Sequence, residues 1–243
     1  MSIRTAIVLA ILVFVATLLA RWPARALTPL LPAGISCDTP SGTVWHGSCA
    51  QLRSGRTTLA GFSWTLHPAA LLRLHLSADL RSEDPRASGY AHVQLARGEE
   101  LQISAVSAQL PLQGGLTLLP RGLTGTVQVA LEQAQIRQGQ LIALVGSVRV
   151  LQLRSEDQAA DLGSFQLQFP PAPPGDPIQG QLRDLGGPLS VRGQLRLTRG
   201  NNYELSGSVA ARDDASPQLI QALQLLGPPD AQGRRMFSLA GSL

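Results

Sequence analysis

Beyond residue 25 the apolar residues of this chain recur at every second position, and few folds accommodate that pattern. Leu74, Leu76, Ala78 and Leu80 alternate with His75, Ser77, Asp79 and Arg81, and Val127, Val129 and Leu131 alternate with Thr126, Gln128, Ala130 and Glu132. Phe165, Leu167 and Phe169 repeat the pattern, as do Val191, Gly193, Leu195 and Leu197, and the chain closes on Phe237, Leu239, Gly241 and Leu243. Successive side chains of an extended strand point to opposite faces, so each run becomes a strand with one buried and one wet face. That is the habit of antiparallel sheets. Asp84-Pro85, Gly114-Gly115, Gly186-Gly187-Pro188 and Gly200-Asn201-Asn202 interrupt the runs, and Gly and Asn supply the positive φ that tight turns demand. The pattern predicts a mainly β fold of roughly ten to thirteen strands in one large, mostly antiparallel, strongly twisted sheet, half-pipe or sandwich-like.

Glycines begin several of these runs, at Gly125, Gly146, Gly180, Gly193 and Gly207, at irregular spacing. They read as one repeated strand device rather than a sequence repeat. A single short C-terminal helix is signalled over about 216–226. Ser216 suits the N-cap, Pro217 the first helical position and Gly227 the C-terminal cap, with Leu219, Ile220, Leu223 and Leu226 as one apolar stripe. The helix is expected to plug an open end of the sheet. The tract Phe169-Pro-Pro-Ala-Pro-Pro-Gly-Asp-Pro177 is stiff and short of ladder donors. It reads as a long loop within one sheet, with a sub-boundary at 170–177 as the alternative.

Ala6 to Ala20 is a charge-free run of 15 residues bounded by Arg4 and by Arg21-Trp22-Pro23. Snorkelling Arg and an interfacial Trp allow a stretch of about 17 residues to span a bilayer core. The competing reading is a cleaved signal peptide with Ala24-Arg25-Ala26 as the processing site. Two arginines between the apolar run and that site favour a retained transmembrane helix. The expected organisation is therefore an anchor over 1–25 with a short cytoplasmic tip, and a β-rich domain over 26–243 outside the cytoplasm.

The roughly 218 residues after the anchor are enough to bury a sizeable core. With only 10 aromatic residues, that core must be built from Leu, Val, Ile and Ala. All 20 cations are Arg, and three flank the apolar run, so the remainder is nearly neutral and its charges alternate in sign. That is not the clustered cationic face that nucleic acid requires. The absence of lysine excludes P-loop, Schiff-base and Ser-Lys chemistry. Cys37 and Cys49, the two cysteines, lie on either side of a Pro40-Ser41-Gly42 turn and are expected to form a disulfide, in keeping with an oxidising compartment. Two buried thiols are the alternative; a Cys37/His46/Cys49 metal site lacks a fourth ligand.

A search for catalytic constellations returns little. Gly61-Phe62-Ser63-Trp64-Thr65 fails the nucleophile-elbow pattern at its last position, and Ser48 beside His46 sits on a strand rather than a turn. His67, His75 and His92 read as ordinary exposed histidines, and Glu99-Glu100 and Asp213-Asp214 as solvated loop charges. No metal, cofactor or catalytic residue is expected. Trp45 and Trp64 are the pair with two meanings: core of the first hairpin, or an exposed anchor for a partner.

The run Ser41-Gly42-Thr43-Val44-Trp45-His46-Gly47, followed by Trp64-Thr65-Leu66-His67-Pro68 and Leu71-Leu72, resembles the start of the periplasmic region of the type II secretion system protein N family. The resemblance extends through Gly89–Leu95, Ile103–Leu112 and Leu123–Val129 to Gly233-Arg234-Arg235 and a last strand ending Leu239-Ala-Gly241. It implies a non-enzymatic accessory or assembly component, single-pass in the inner membrane with its bulk in the periplasm. Its partners would be other secretion subunits, of the inner-membrane platform or the outer-membrane secretin. The one-sided sheet and the Trp-x-Leu-x-Pro motif are also similar to AsmA-like periplasmic lipid carriers, in which an apolar groove stays open to lipid.

Overall fold

The computed structural model describes residues 7, 10, 13–14, 17–30, 34–54, 57–96, 98, 100–113, 122–156, 160–173, 175–198 and 202–242. The turn signals at 114–115 and 200–201, and Glu99, lie outside them. So does much of the expected anchor; its described residues 7, 10, 13–14 and 17–20 are helical and exposed. No helix among the described residues is long and apolar enough to cross a membrane, so the expected transmembrane helix is not established by the fold.

The chain divides into two compact units, Met1–Pro85 and Arg86–Leu243. The first carries a 3-10 helix (Ala24–Leu30), strands β1 (Ile35–Gly42), β2 (His46–Ser54) and β3 (Thr57–Leu66), a one-turn helix α1 (Pro68–Leu71) and β4 (Leu76–Glu83). These strands pair antiparallel in chain order. The second unit carries β5 (Ser88–Ala96), β6 (Glu100–Gln113), β7 (Leu123–Arg137), β8 (Gln140–Ser155), β9 (Ala160–Phe169), β10 (Ile178–Gly186), β11 (Leu189–Thr198), β12 (Asn202–Ala211), α2 (Pro217–Gln224) and β13 (Arg235–Ser242). From β5 to β13 these strands also pair antiparallel in chain order. The Pro-rich tract joins β9 to β10, which pair directly across it.

Register explains the alternation. Across the second unit, Ala108, Val129, Val148, Leu167, Leu182, Gly193, Gly207 and Phe237 face one another in one apolar row. The neighbouring row on the opposite face is polar: Gln109, Gln128, Arg149, Gln166, Arg183, Arg192, Ser208. A one-residue slip would exchange the two, so burial of one face fixes the pairing.

The strand glycines are two devices rather than the single one expected. Gly125 and Gly146 have φ of 159° and 137° and lie where the β7–β8 register shifts, so they serve bulges. Gly180 and Gly207 instead lie beneath aromatic rings. A Cβ on either would come within 2.8 Å of a carbon of Phe169 or Phe237 respectively. The ring covers backbone that glycine leaves bare, a pairing that recurs between Gly241 and Tyr203.

The helix forms where expected, with Ser216 Oγ accepting from the Leu219 amide at 3.3 Å. It packs on the apolar face of β11 and β12: Leu219 is buried with Leu189, Val191 and Val209, and Leu223 adds to the cluster. Ile220 and Leu226, counted in the expected stripe, are exposed, because only the i, i+4 pair Leu219/Leu223 faces the sheet.

Candidate functional site

Trp45 and Trp64 converge at one end of the first unit, where the β1–β2 turn meets the chain leaving the apolar run. Helical residues 17–20 give way to Arg21, and a helix end leaves its last carbonyls without intrahelical donors. The Trp45 indole N–H donates at 2.7 Å to Leu19 O, which also accepts from the Trp22 amide at 3.3 Å. The Val44 amide donates to Trp22 O at 2.8 Å, and Pro23 bridges to Thr43. Both halves of the Thr43-Val44-Trp45 turn are thus committed to residues 19–23.

Trp64 fixes the same turn from β3. Its indole N–H donates to Val44 O at 3.0 Å, and its ring lies over Gly47, directly opposite in the ladder. A Cβ on Gly47 would meet three indole carbons at 2.8 Å or closer, so the two ends of the Gly-Thr-x-Trp-x-Gly motif have a joint purpose. Trp45 reaches the apolar run, and Gly47 makes room for the tryptophan whose indole N–H bonds the Val44 carbonyl beside it. Both indoles are half-buried, with their polar edges used internally.

Cys37 and Cys49 are joined, with Cα atoms 5.7 Å apart. In the ladder Cys37 opposes Leu52 and Cys49 opposes Pro40. Thr39, at φ 50°, bends β1 between them. Cys49 is 1% exposed, which places the bridge in the interior of the hairpin, one strand away from Trp64.

Beyond β3 the chain stays at this end of the unit: the Leu66 amide donates to Trp45 O at 2.7 Å, and α1 follows at once. The α1 loop is unusually apolar for a connection. Leu71, Leu72, Leu74 and Leu76 are 44%, 88%, 58% and 44% exposed. Leu74 holds φ 60°, a left-handed conformation that costs a side-chain-bearing residue roughly 1–2 kcal/mol.

Of the three histidines expected to be exposed, His67 has 43% of its side chain exposed, whereas His75 and His92 are half-buried. His67 lies 2.8 Å from an Asp79 carboxylate oxygen and His92 3.0 Å from the Gln94 amide. Glu100 is likewise paired, with Gln135 and, at 3.2 Å, with Arg137, whereas Asp213 and Asp214 are exposed as read. Ser48 Oγ is engaged with Ser41 Oγ at 2.8 Å.

Two polar features of the second unit escaped the sequence reading. At one corner, Asp184 accepts from Arg212 and from the Val191 amide at 3.0 Å, while Arg212 also donates to Gly187 O and Leu189 O. Burial pushes the Asp184 carboxyl up, but the Arg212 hydrogen bond and charge and the Val191 amide outweigh it and hold the group below the usual carboxylate value. Nearby, Arg234 donates to Ser208 Oγ at 2.9 Å and to Ser190, tying the lead-in of β13 to β11 and β12. The second feature is the row Arg149, Arg183, Arg192, all exposed and without an acidic partner among the described residues. Arg183 and Arg192 oppose each other directly, an arrangement that destabilises an isolated sheet. Positions equidistant from the Gly187-Pro188 turn must face each other, so this pair was readable once that turn was accepted as a hairpin.

A family model described as type II secretion system (T2SS), protein N, matches residues 33–238. The chain is 28% identical over 232 residues to the type II secretion system protein N of Vibrio cholerae, covering 90% of this chain and 89% of that one. It is 26% identical to its counterpart from Aeromonas hydrophila, over 89% of each chain. For the Pectobacterium carotovorum protein the identity is 25%, over 91% of this chain and 90% of the other. No solved structure matches the chain.

Proposed function

The chain belongs to the type II secretion system protein N family, and on that premise we propose that it is a non-enzymatic accessory component of the secretion apparatus. In this reading residues 6–20 hold it in the inner membrane, and residues 26–243 form a periplasmic sheet offered to other subunits of the machine. The observation that carries the reading is the extent of the family match, which takes in both compact units from the first hairpin to β13.

The geometry supports where each task falls. The turn at 43–45 grips residues 19–23, which suits a domain held close to its anchor. The arginine row on the polar face of β8–β11 suits an acidic surface on a neighbouring subunit, since guanidinium forks bind carboxylates bidentately and like charges in a row are relieved by a partner. Strand β13 adds an edge whose outer backbone groups can take a further strand. Any partner contact by Trp45 or Trp64 uses ring surface, because their N–H groups are already bonded.

Deletion of the gene should weaken exoprotein release, and affinity purification from native membranes should recover other secretion subunits with the protein. Normal release with an unchanged complex would overturn the assignment. One observation favours a lipid-carrier reading as the second choice: the apolar row Ala108, Val129, Val148, Leu167, Leu182 is half-buried rather than buried. Stoichiometric lipid on the purified chain, together with normal secretion, would select it.

A further inference from the structure

We propose that the α1 loop, residues 68–76, is a second membrane contact: it lies in the interfacial layer of an anionic bilayer beside the point where the apolar run emerges. The inference rests on the inner-membrane reading above for the presence of that bilayer, but it concerns a different segment and stands or falls separately.

Position comes first. The Trp45 and Val44 bonds to Leu19 and Trp22 put the end of the apolar run against the β1–β2 turn. The Leu66 bond to Trp45 puts the exit of β3, and so α1, at that same end of the unit. A membrane that holds residues 6–20 therefore faces the α1 loop as well.

Chemistry comes second. Connections exposed to water are ordinarily built from Gly, Pro, Asn, Asp and Ser. Here the tip is Leu71-Leu72-Arg73-Leu74, with Leu72 88% and Leu74 58% exposed and Leu74 in a left-handed conformation. The segment from His67 to Ala78 contains no acid, and Arg73 lies among the leucines. An apolar tip with a cation on a long stem matches the boundary between acyl chains and anionic headgroups, where the stem lies along the apolar layer and the guanidinium reaches phosphate. Trp22, 51% exposed and bonded through its backbone to the same turn, is the residue type enriched at that depth. A protein partner would account for exposed leucines alone; the acid-free loop at the membrane-proximal end argues for lipid.

The test uses the full chain reconstituted in phosphatidylethanolamine–phosphatidylglycerol vesicles that contain a phosphatidylglycerol with a photoactivatable acyl chain. After irradiation, lipid adducts are mapped by mass spectrometry on the peptides covering 5–21, 57–73 and 74–81. Adducts are expected on all three. In a Leu71→Ser/Leu72→Ser/Leu74→Ser variant, those on the latter two should fall at least five-fold while those on 5–21 persist, with the Cys37–Cys49 bridge still formed as a check on folding. Adducts on 5–21 alone, or labelling of 57–81 indifferent to the substitutions, overturn the proposal and leave the anchor intact. Adducts on 57–81 without 5–21 sustain it and remove the anchor; adducts on neither overturn both.

Discussion

Gly47 shows how a single position constrains the molecule. Its missing Cβ is the space that the Trp64 ring occupies, so Gly47→Val should displace the indole and, with it, the bond to Val44. The expected loss is about 1–3 kcal/mol for overpacking, read as a lower midpoint in chemical denaturation. Trp45→Phe removes the donor to Leu19 O together with part of the half-buried indole, so it should cost at least about 1 kcal/mol and leave the hairpin folded. Asp184 adds a pH dependence with a definite sign. Because the folded carboxyl titrates below its ordinary value, its contribution is fully present above the ordinary carboxylate range and is lost as pH falls through the lower, folded value. The thermal midpoint of Asp184→Asn should therefore lie below that of the wild-type chain at neutral pH, and the gap should narrow as the solution is acidified; a gap constant with pH would refute the assignment.

At the scale of elements, the strands were legible because period two is a direct image of a sheet with one apolar face, and the helix was legible because Ser216, Pro217 and Gly227 mark its ends. Ser216→Ala should cost about 1 kcal/mol, measured by denaturation, through loss of the bond to the Leu219 amide. Its seat was less legible: nothing in the stripe reveals that Leu189, Val191 and Val209 receive Leu219 and Leu223 while Ile220 and Leu226 stay exposed. The glycines teach the same lesson: the sequence marks that they matter, but whether a glycine serves a bulge or lies under a ring depends on which residue stands opposite, as Phe237 does for Gly207. The hairpin disulfide was readable from its lone pair of cysteines. Closing a loop of about 13 residues stabilises by roughly 3 kcal/mol on the chain-entropy model, and reduction should lower the midpoint accordingly.

For the whole molecule, the candidate sites were legible in proportion to how local they are. Trp45, Trp64, Cys37 and Cys49 lie within 28 positions of one another and were found; the arginine row draws on β8, β10 and β11 and was not, since Arg149 meets Arg183 only through the intervening Gln166 of β9. That row also carries the last prediction. Arg183 and Arg192 stand directly opposite each other, with Arg149 beyond Gln166, and a carboxylate-bearing partner would relieve that repulsion, so thinning the row should cost the chain alone little and harm the assembly. Arg149→Ser/Arg192→Ser, which keeps the 3.0 Å bond from Arg183 to the buried Gln166 Oε1, should leave the denaturation midpoint unchanged or higher, because Arg192 no longer stands directly opposite Arg183. In purification from native membranes the same variant should recover less of the other secretion subunits than the wild-type chain does. Recovery by the wild-type chain should fall as salt rises from about 0.05 to 0.5 M, as expected for exposed charges screened within a Debye length, whereas the residual recovery by the variant should be far less sensitive to salt. Equal recovery and equal salt dependence for the two chains would show that the row is a solvated face and that the partner lies elsewhere on the sheet.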